Sequence, residues 1–323
     1  MIKRLAIVVP CYNEEEALPD TDKVLNDLMK DLVKREVVKS NSFILYVNDG
    51  SKDKTWNVIK NAYENSEYVH GLNLAGNKGH QNALLAGLMQ VKDEVDVTIS
   101  IDADLQDDVG VIEEMVNKYY NGCDIVYGVR NDRTSDSSFK KFTAEAFYKM
   151  MNYMGAKTVY NSADFRLMSN RALDELSLYS ETHLFLRGLA PELGFKTDCV
   201  YYKRSPRLKG ESKYPLKKML SFAFNGVTSF SDKPLTLILY LGFIAILIAI
   251  IAVIYSLVQH AGGHTIPGWT SLFASIWFIG GVQLICLGVI GQYVGKTFIE
   301  TKKRPRYYIE SYLNHNNRKK IDK

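Results

Sequence analysis

The sequence predicts an α/β domain, with a mostly parallel sheet covered by helices on both faces, followed by a two-helix transmembrane hairpin. Three observations lead there. Short apolar runs alternate with amphipathic, helix-length segments up to about residue 130. Polar clusters follow those runs at Cys11–Glu15, Asn48–Ser51 and Asp102–Gln106. From Pro234 to Gly295 there is no Asp, Glu, Lys or Arg.

Leu5–Pro10 reads as a short buried strand, and Glu14–Glu36 as a helix with leucines at 25, 28 and 32. The N-terminal apolar run is too short for a signal peptide and acidic residues follow it at once. Phe43–Val47 is a second strand and Asp53–Asn65 a helix. Val69–Asn73 is a third strand, and Gly79–Gln90 a helix. Val97–Ile101 is a fourth strand ending at Asp102, Val111–Asn121 is helical, and Ile125–Tyr127 is a fifth strand. Such alternation implies a parallel sheet with both faces covered. Ligands of these sheets bind beyond the carboxyl ends of the strands. The three polar clusters fall there and form one site. After Arg130 the pattern changes. Phe139–Met154 is an apolar-faced helix, and Asp164–Ser169 and Lys196–Tyr202 are further strands. Tyr214–Phe230 mixes Leu, Met and Phe with Lys217 and Lys218, which suits an amphipathic helix in the membrane interface. A core helix is the alternative.

Leu235–Val258 and Trp269–Val294 are almost unbroken apolar runs. Each meets the roughly 20 residues needed to cross a ~30 Å hydrocarbon core. The link between them carries no Lys or Arg, whereas both outer flanks are basic, from Lys203 to Lys233 and from Lys296 to Arg306. The Lys/Arg asymmetry puts both flanks and both termini in the cytoplasm. The expected plan is a soluble domain over 1–212, a juxtamembrane region over 213–233, a hairpin over 234–295 and a basic tail over 296–323. Gly280, Gly281, Gly288, Gly291 and Gly295 permit close helix contact, and a homo-oligomer, for instance a tetramer, is expected.

The composition is that of a folded protein, and a net charge of +4 over 323 residues does not point to nucleic acid. The four cysteines, Cys11, Cys123, Cys199 and Cys286, lack CxxC spacing, so no zinc site is expected and free thiols are.

Asp102 and Asp104 form a DxD pair where a buried strand becomes a loop. Both carboxylates can face one cleft there, and a hard cation, Mg²⁺ or Mn²⁺, would bridge them to a diphosphate. Gln106 can add a carbonyl oxygen. Asp49 can accept hydrogen bonds from a base or ribose, with Gly50 letting the backbone turn. A capped βα turn without a ligand is the alternative, with Asp53 or Ser51 as the cap. Asn77–Gln81 reads mainly as a polar helix start, with His80 as a base the lesser reading.

Taken together, Pro10-Cys11-Tyr12-Asn13-Glu14-Glu15, Asn48-Asp49-Gly50-Ser51, Asn77-Lys78-Gly79-His80-Gln81 and Asp102-Ala103-Asp104-Leu105-Gln106-Asp107 resemble the family 2 glycosyltransferases of the GT-A fold. Ala163–Leu167, Arg207–Tyr214 and the terminal hairpin resemble its polyprenyl-phosphate branch, which holds dolichyl-phosphate mannose synthases and bactoprenol glucosyltransferases of the GtrB type. The resemblance implies inverting transfer of a sugar from a nucleotide-sugar donor to polyprenyl phosphate. It implies nucleotide binding by residues matching Pro10, Tyr12, Asn13, Glu14 and Asp49, with Ser51, Lys78 and Asp102 in the same donor set. It implies metal binding at Asp102, Asp104 and Gln106, and acceptor-phosphate contacts at Arg130, Arg207 and Lys213. Asp108 departs from the proline that the family often carries there.

An anionic acceptor phosphate needs little activation by a base. The difficulty lies in joining two anions and stabilising the departing diphosphate, which cations serve. Asp164 either orients the acceptor or acts as a weak base, or it forms a structural ion pair with Arg166. The expected protein is a multi-pass enzyme of the bacterial plasma membrane, with catalytic residues Asp102, Asp104 and Asp164. Its expected acceptor is undecaprenyl phosphate and its donor UDP-glucose. UDP-GlcNAc, UDP-galactose and GDP-mannose are alternative donors. A processive polysaccharide synthase is disfavoured, because no QxxRW-like motif and no further membrane helices are present. An inactive scaffold paralogue is the non-enzymatic alternative.

Overall fold

The computed structural model describes residues 2–131, 159, 161–181, 186–205 and 268–315, with interspersed positions between 235 and 258. The expected helices at Phe139–Met154 and Tyr214–Phe230 lie outside the described residues, as do Arg207 and Lys213.

In chain order the elements are β1 (Leu5–Cys11), α1 (Leu18–Lys34), β2 (Phe43–Asn48), α2 (Thr55–Asn65), β3 (Val69–Leu74), α3 (His80–Val91) and β4 (Val97–Ser100). A short 3₁₀ turn then leads to α4 (Ile112–Tyr120), β5 (Ile125–Arg130), β6 (Ser162–Ser169), α5 (Asn170–Ser177), α6 (Leu186–Glu192), β7 (Thr197–Tyr202), α7 (Trp269–Thr301) and β8 (Ile309–Leu313). The eight strands form one sheet in the order β7-β5-β6-β4-β1-β2-β3-β8. β4, β1, β2 and β3 are mutually parallel, and β5 is parallel to β7. β6 runs against β4 and β5, and β8 runs against β3. The GT-A architecture expected from the motifs is therefore present, as a mixed, mostly parallel sheet with helices.

The central strands are buried along their whole length, LAIVVPC in β1 and FILYVN in β2. Cover on both faces removes the in–out alternation and selects continuous apolar runs. Helix α1 turns Leu18, Leu25, Met29 and Leu32 inward, the face that its leucine spacing announces. Helix α3 lies so close to the sheet that a Cβ on Gly87 would stand 2.5 Å from Val8 Cγ1 and 2.7 Å from Val47 Cγ2. Only glycine fits that contact. After β3 the chain crosses to β4 on the other side of β1, which creates a switch point between β1 and β4.

Short helices α5 and α6 were absent from the sequence reading. Helix α5 is capped by Ser169, whose hydroxyl accepts from Ala172 N–H at 3.1 Å. Strand β8 lies inside the segment expected as a basic tail. It pairs with β3 in the register Leu72↔Tyr312 and Asn73↔Ser311. The run IESYL is short and half polar, as an edge strand can be, so its pattern carries little signal.

His70 on β3 stacks on Phe43 at 4.1 Å and meets Tyr312 of β8 edge-on at 6.2 Å. Burial above all, with the charges of His315 and Arg4, pushes its pKa down to about 3. The unfolded chain takes up this proton near pH ~6.5, whereas the folded one resists it. The stability tied to neutral His70 is therefore complete above pH ~6.5 and lost as pH falls toward the folded value. Thermal midpoints from pH 7.5 to 4.5 should fall for the wild type and fall less for His70→Phe, which keeps the stack and cannot titrate.

The chain divides into two compact units. One joins the N-terminal domain to the residues from Pro305 on, and the other holds α7. Within α7, Phe278–Thr301 is long and apolar enough to cross a membrane, and the helix extends past the expected end at Val294. Leu272, Ile276, Phe278, Leu284, Ile285 and Leu287 are among its exposed side chains. Every described position of the first apolar run, from 235 to 258, is also helical.

Candidate active site

The site begins where β1 and β2 end side by side. Cys11 pairs with Asn48, and Asp49 N–H donates to the Cys11 carbonyl at 2.9 Å. Beyond them the two loops are laced together. Asn13, in the left-handed region at φ 54, donates its N–H to Ser51 Oγ at 3.0 Å and accepts from Lys52 N–H at 2.9 Å through Oδ1. Glu14 N–H donates to Thr55 Oγ1 at 2.8 Å. Asp53 accepts from Thr55 N–H at 3.0 Å, a local turn bond just before α2, whose N-cap residue, Lys54, makes no side-chain cap bond. Pro10 is buried within β1, while Tyr12 is only half-buried at its end.

Asp49 is 2% exposed and spends both carboxylate oxygens on the loop before α3. Oδ1 accepts from Lys78 N–H at 2.7 Å and Oδ2 from Gly79 N–H at 2.9 Å. Burial raises its pKa, and these two amides with the charges of His80 and Lys78 oppose the rise. Lys78 meets the site through its backbone, with its ammonium 5.8 Å from the Tyr308 ring centroid. Gly50 has φ +60, and a Cβ there would stand 2.4 Å from Asn77 N. The glycine lets the Asn48–Ser51 turn nest against the Gly76–Gly79 loop.

The DxD loop follows β4. Ile101 N–H donates to the Val8 carbonyl at 3.1 Å, and Thr21 of α1 donates to the Ala103 carbonyl at 2.6 Å. Asp104 accepts from Gln106 N–H at 3.2 Å across Leu105, which has φ 51. Desolvation raises the Asp102 pKa; His80 opposes it, and Asp164, Asp107 and Asp104 add like charge. His80 Nε2 stands 3.5 Å from Asp102 Oδ1 and 3.4 Å from Asp164 Oδ2. Desolvation would depress His80, yet the Asp164 hydrogen bond and the Asp102 charge hold it at about 9. The imidazole is thus a cation between two carboxylates, not a free base.

Asp164 is buried in β6 and meets the ion pair with Arg166 at 2.8 Å. Arg187 of α6 grips both its oxygens at 3.0 Å, and Gln81 adds a contact at 3.3 Å. Burial alone would raise its pKa, but Arg187, then His80 and Arg166, hold it well below the carboxylate range. A carboxylate so stabilised is a poor base, and the expected ion pair with Arg166 is present.

Arg130, expected at the acceptor phosphate, lies against Asp107 in the ligand-free protein, with Nη2 2.9 Å and Nε 3.3 Å from Oδ1. Tyr202 donates to the same oxygen at 2.6 Å. The Gln106 side-chain oxygen, expected on the metal, accepts from Arg204, and its carbonyl accepts from Ser205 N–H at 2.9 Å. The structure thus gathers Asn13, Glu14, Asp49, Ser51 and Lys78 around one set of loops, and gathers Asp102 with His80 and Asp164, Asp104 standing near enough to add its charge to Asp102. Sequence reasoning missed Arg187, Tyr202 and the part of Asp107. Asp107 had a signal as the third acid of DADLQD; Arg187 had none.

Among the described residues no three His, Cys, Asp or Glu side chains form a complete metal cage. Asp102, raised by desolvation and by the like charges of Asp164, Asp107 and Asp104, nevertheless sits where a hard cation fits. All-oxygen donors from two carboxylates, completed by phosphate oxygens and water, suit Mg²⁺ or Mn²⁺.

The Glycosyl transferase family 2 model matches residues 6–177. The chain is 51% identical over 306 residues to "Uncharacterized glycosyltransferase YkoT" of Bacillus subtilis (strain 168), covering 95% of this chain and 91% of that one. It is 38% identical over 309 residues to "Prophage bactoprenol glucosyl transferase homolog" of Escherichia coli (strain K12), covering 95% and 98%. It is 38% identical over 310 residues to "Bactoprenol glucosyl transferase" of Shigella phage SfX, covering 95% and 99%. A DxD loop at the switch point of a mixed α/β sheet, a family model over more than half of the chain and relatives matched nearly end to end agree: the chain belongs to glycosyl transferase family 2.

Proposed function

We propose that this glycosyltransferase moves a monosaccharide from a nucleotide-sugar, UDP-glucose first among the donors, to polyprenyl phosphate at the cytoplasmic face of a bacterial plasma membrane. The observation that carries the reading is the meeting of the Asp102–Asp104 loop with the Asn13, Asp49 and Lys78 loops at the switch point. The relatives named bactoprenol glucosyl transferases support the acceptor and the sugar.

The nucleotide would lie over the loops at Pro10–Glu14 and Asp49–Ser51, which the Asp49 and Ser51 hydrogen bonds already hold in place. Asp102 and Asp104 would hold a divalent cation, which supplies charge to stabilise the leaving diphosphate. An acceptor phosphate oxygen forms a bond to the anomeric carbon while the bond from that carbon to the diphosphate oxygen breaks. The electron pair leaves with the diphosphate, and the anionic nucleophile surrenders no proton. Such a one-step displacement inverts the anomeric centre. Asp164, with His80, Arg166 and Arg187, sets the electrostatic floor under Asp102, and Arg130 with Tyr202 holds the DxD loop through Asp107. Arg207 and Lys213 would meet the acceptor phosphate at headgroup depth.

The membrane reading is a hairpin. β7 before the apolar runs and β8 after them belong to one sheet, which supports a chain that would leave and return on one side of a bilayer. Two crossings meet that requirement, and the basic flanks favour the cytoplasm for both ends.

The stereochemistry tests the mechanism. Proton NMR of the lipid product from an α-linked donor should give the coupling of a β-linked sugar. An α-linked product would overturn the single displacement.

A further inference from the structure

We propose that β8, the strand that follows the apolar helix, positions the donor loops through Glu310, the acceptor that anchors the outer end of a hydrogen-bond relay into the Asn48–Ser51 turn. The proposal rests on the reading of those loops as the nucleotide site.

The relay has four links. Asn73 Nδ2 donates to Glu310 Oε2 at 2.6 Å. Asn48 Nδ2 donates to Asn73 Oδ1 at 2.6 Å. Ser51 N–H donates to Asn48 Oδ1 at 3.3 Å, and Asn13 N–H donates to Ser51 Oγ at 3.0 Å. The chain of bonds runs from β8 across the ends of β3 and β2 to the loop after β1. Asn48 and Asn73 are buried, so their amides cannot turn to water for partners.

The direction of the relay is set from both ends, by the Ser51 N–H, which can only donate to Asn48, and by Glu310 at the outer end. An ionised carboxylate only accepts hydrogen bonds, whereas an Asn side chain both donates and accepts. Glu310 therefore draws the Asn73 NH₂ outward, which leaves the Asn73 oxygen facing Asn48. Asn48 must then present its NH₂ to Asn73 and its oxygen to the Ser51 amide. With the Ser51 N–H holding the inner end, a donor in place of Glu310 would face the Asn73 NH₂ with no acceptor between them and loosen the relay from its outer end. The residue just before the strand reaches the third donor loop: Ala75 N–H donates to the Tyr308 carbonyl at 3.0 Å, and the Tyr308 ring lies by the Lys78 ammonium. The segment returning from the apolar unit is thereby wired to the loops at Asn13, Ser51 and Lys78. Glu310 itself is exposed, so replacing it leaves the core unchanged.

The test uses full-length protein in detergent, with UDP and Mn²⁺ titrated by calorimetry and amide exchange followed at residues 11–15 and 48–52. Glu310→Gln can still accept from Asn73 and should bind UDP within about twofold of wild type. Glu310→Ala should weaken binding about fivefold, the scale of one charge-assisted hydrogen bond. Glu310→Lys should weaken it more than about tenfold, because a buried donor is left facing another donor. Tyr312→Phe, which removes the hydroxyl contact to Glu94 elsewhere on β8, should bind as wild type does. Wild-type affinity in Glu310→Lys, or a loss in Tyr312→Phe equal to that in Glu310→Ala, would overturn the proposal. If no form of the protein binds UDP, it is the donor reading that fails. Exchange then decides the relay alone: faster exchange at Ser51 in Glu310→Lys supports it, and unchanged exchange contradicts it.

Discussion

Asp102→Asn is expected to lower sugar transfer by a factor of about 10²–10³ or more, the scale at which removing one group that stabilises transition-state charge acts, while the fold keeps its stability or gains some. The second half of the expectation comes from the surroundings of the carboxylate. Burial, and the charges of Asp164, Asp107 and Asp104, outweigh the pull of His80 and push the Asp102 pKa up, so its surroundings on balance oppose the charge. A neutral amide relieves that repulsion. A functional group that lowers stability is a common signature of an active site. Transfer per folded molecule and the thermal midpoint should be measured together without added metal. A variant that loses stability along with activity would make Asp102 a structural residue and contradict the metal assignment.

The second large effect belongs to Asp164. Asp164→Ala would leave Arg166, 3% exposed, without its carboxylate, and would strip Arg187 and His80 of the same partner. Removing one member of a buried ion pair costs about 3–5 kcal/mol, and denaturant melts should show a loss on that scale. The sign of the pH dependence follows from the lowered pKa. The contribution of Asp164 is complete above the unfolded carboxylate value of ~3.9 and is lost as pH falls through the lower folded value. The gap between wild type and Asp164→Ala should therefore widen as pH falls from 8 to ~6.5, because Asp164 also helps hold His80 at about 9, and should stay constant from there to pH 5. A variant as stable as wild type, yet inactive, would place Asp164 on the substrate instead.

The sheet was legible because burial on both faces leaves unbroken apolar runs, and LAIVVP, FILYV and VTISI are such runs. The site was legible where it uses backbone turns at strand ends, since NDGS and DADLQD combine acids with the residues that turns need. What escaped was supplied by tertiary structure. Arg187 reaches Asp164 from a seven-residue helix with no motif, 23 positions away. Arg130 reads as a free cation after a strand until Asp107 and Tyr202 converge on it. Strand β8 owes its existence to the open edge of β3 and not to its own five residues. His80 looked like a helix-start residue, because nothing in the chain announces that Asp102 and Asp164, from β4 and β6, flank it.

The central claim, sugar transfer to a lipid phosphate, is tested most directly by offering purified full-length protein undecaprenyl phosphate with a panel of radiolabelled nucleotide-sugars. The account predicts label in the lipid extract, UDP-glucose giving the most, dependent on the added acceptor and abolished by a chelator. Absence of lipid-linked label with every donor, from protein that still binds nucleotide, would contradict it.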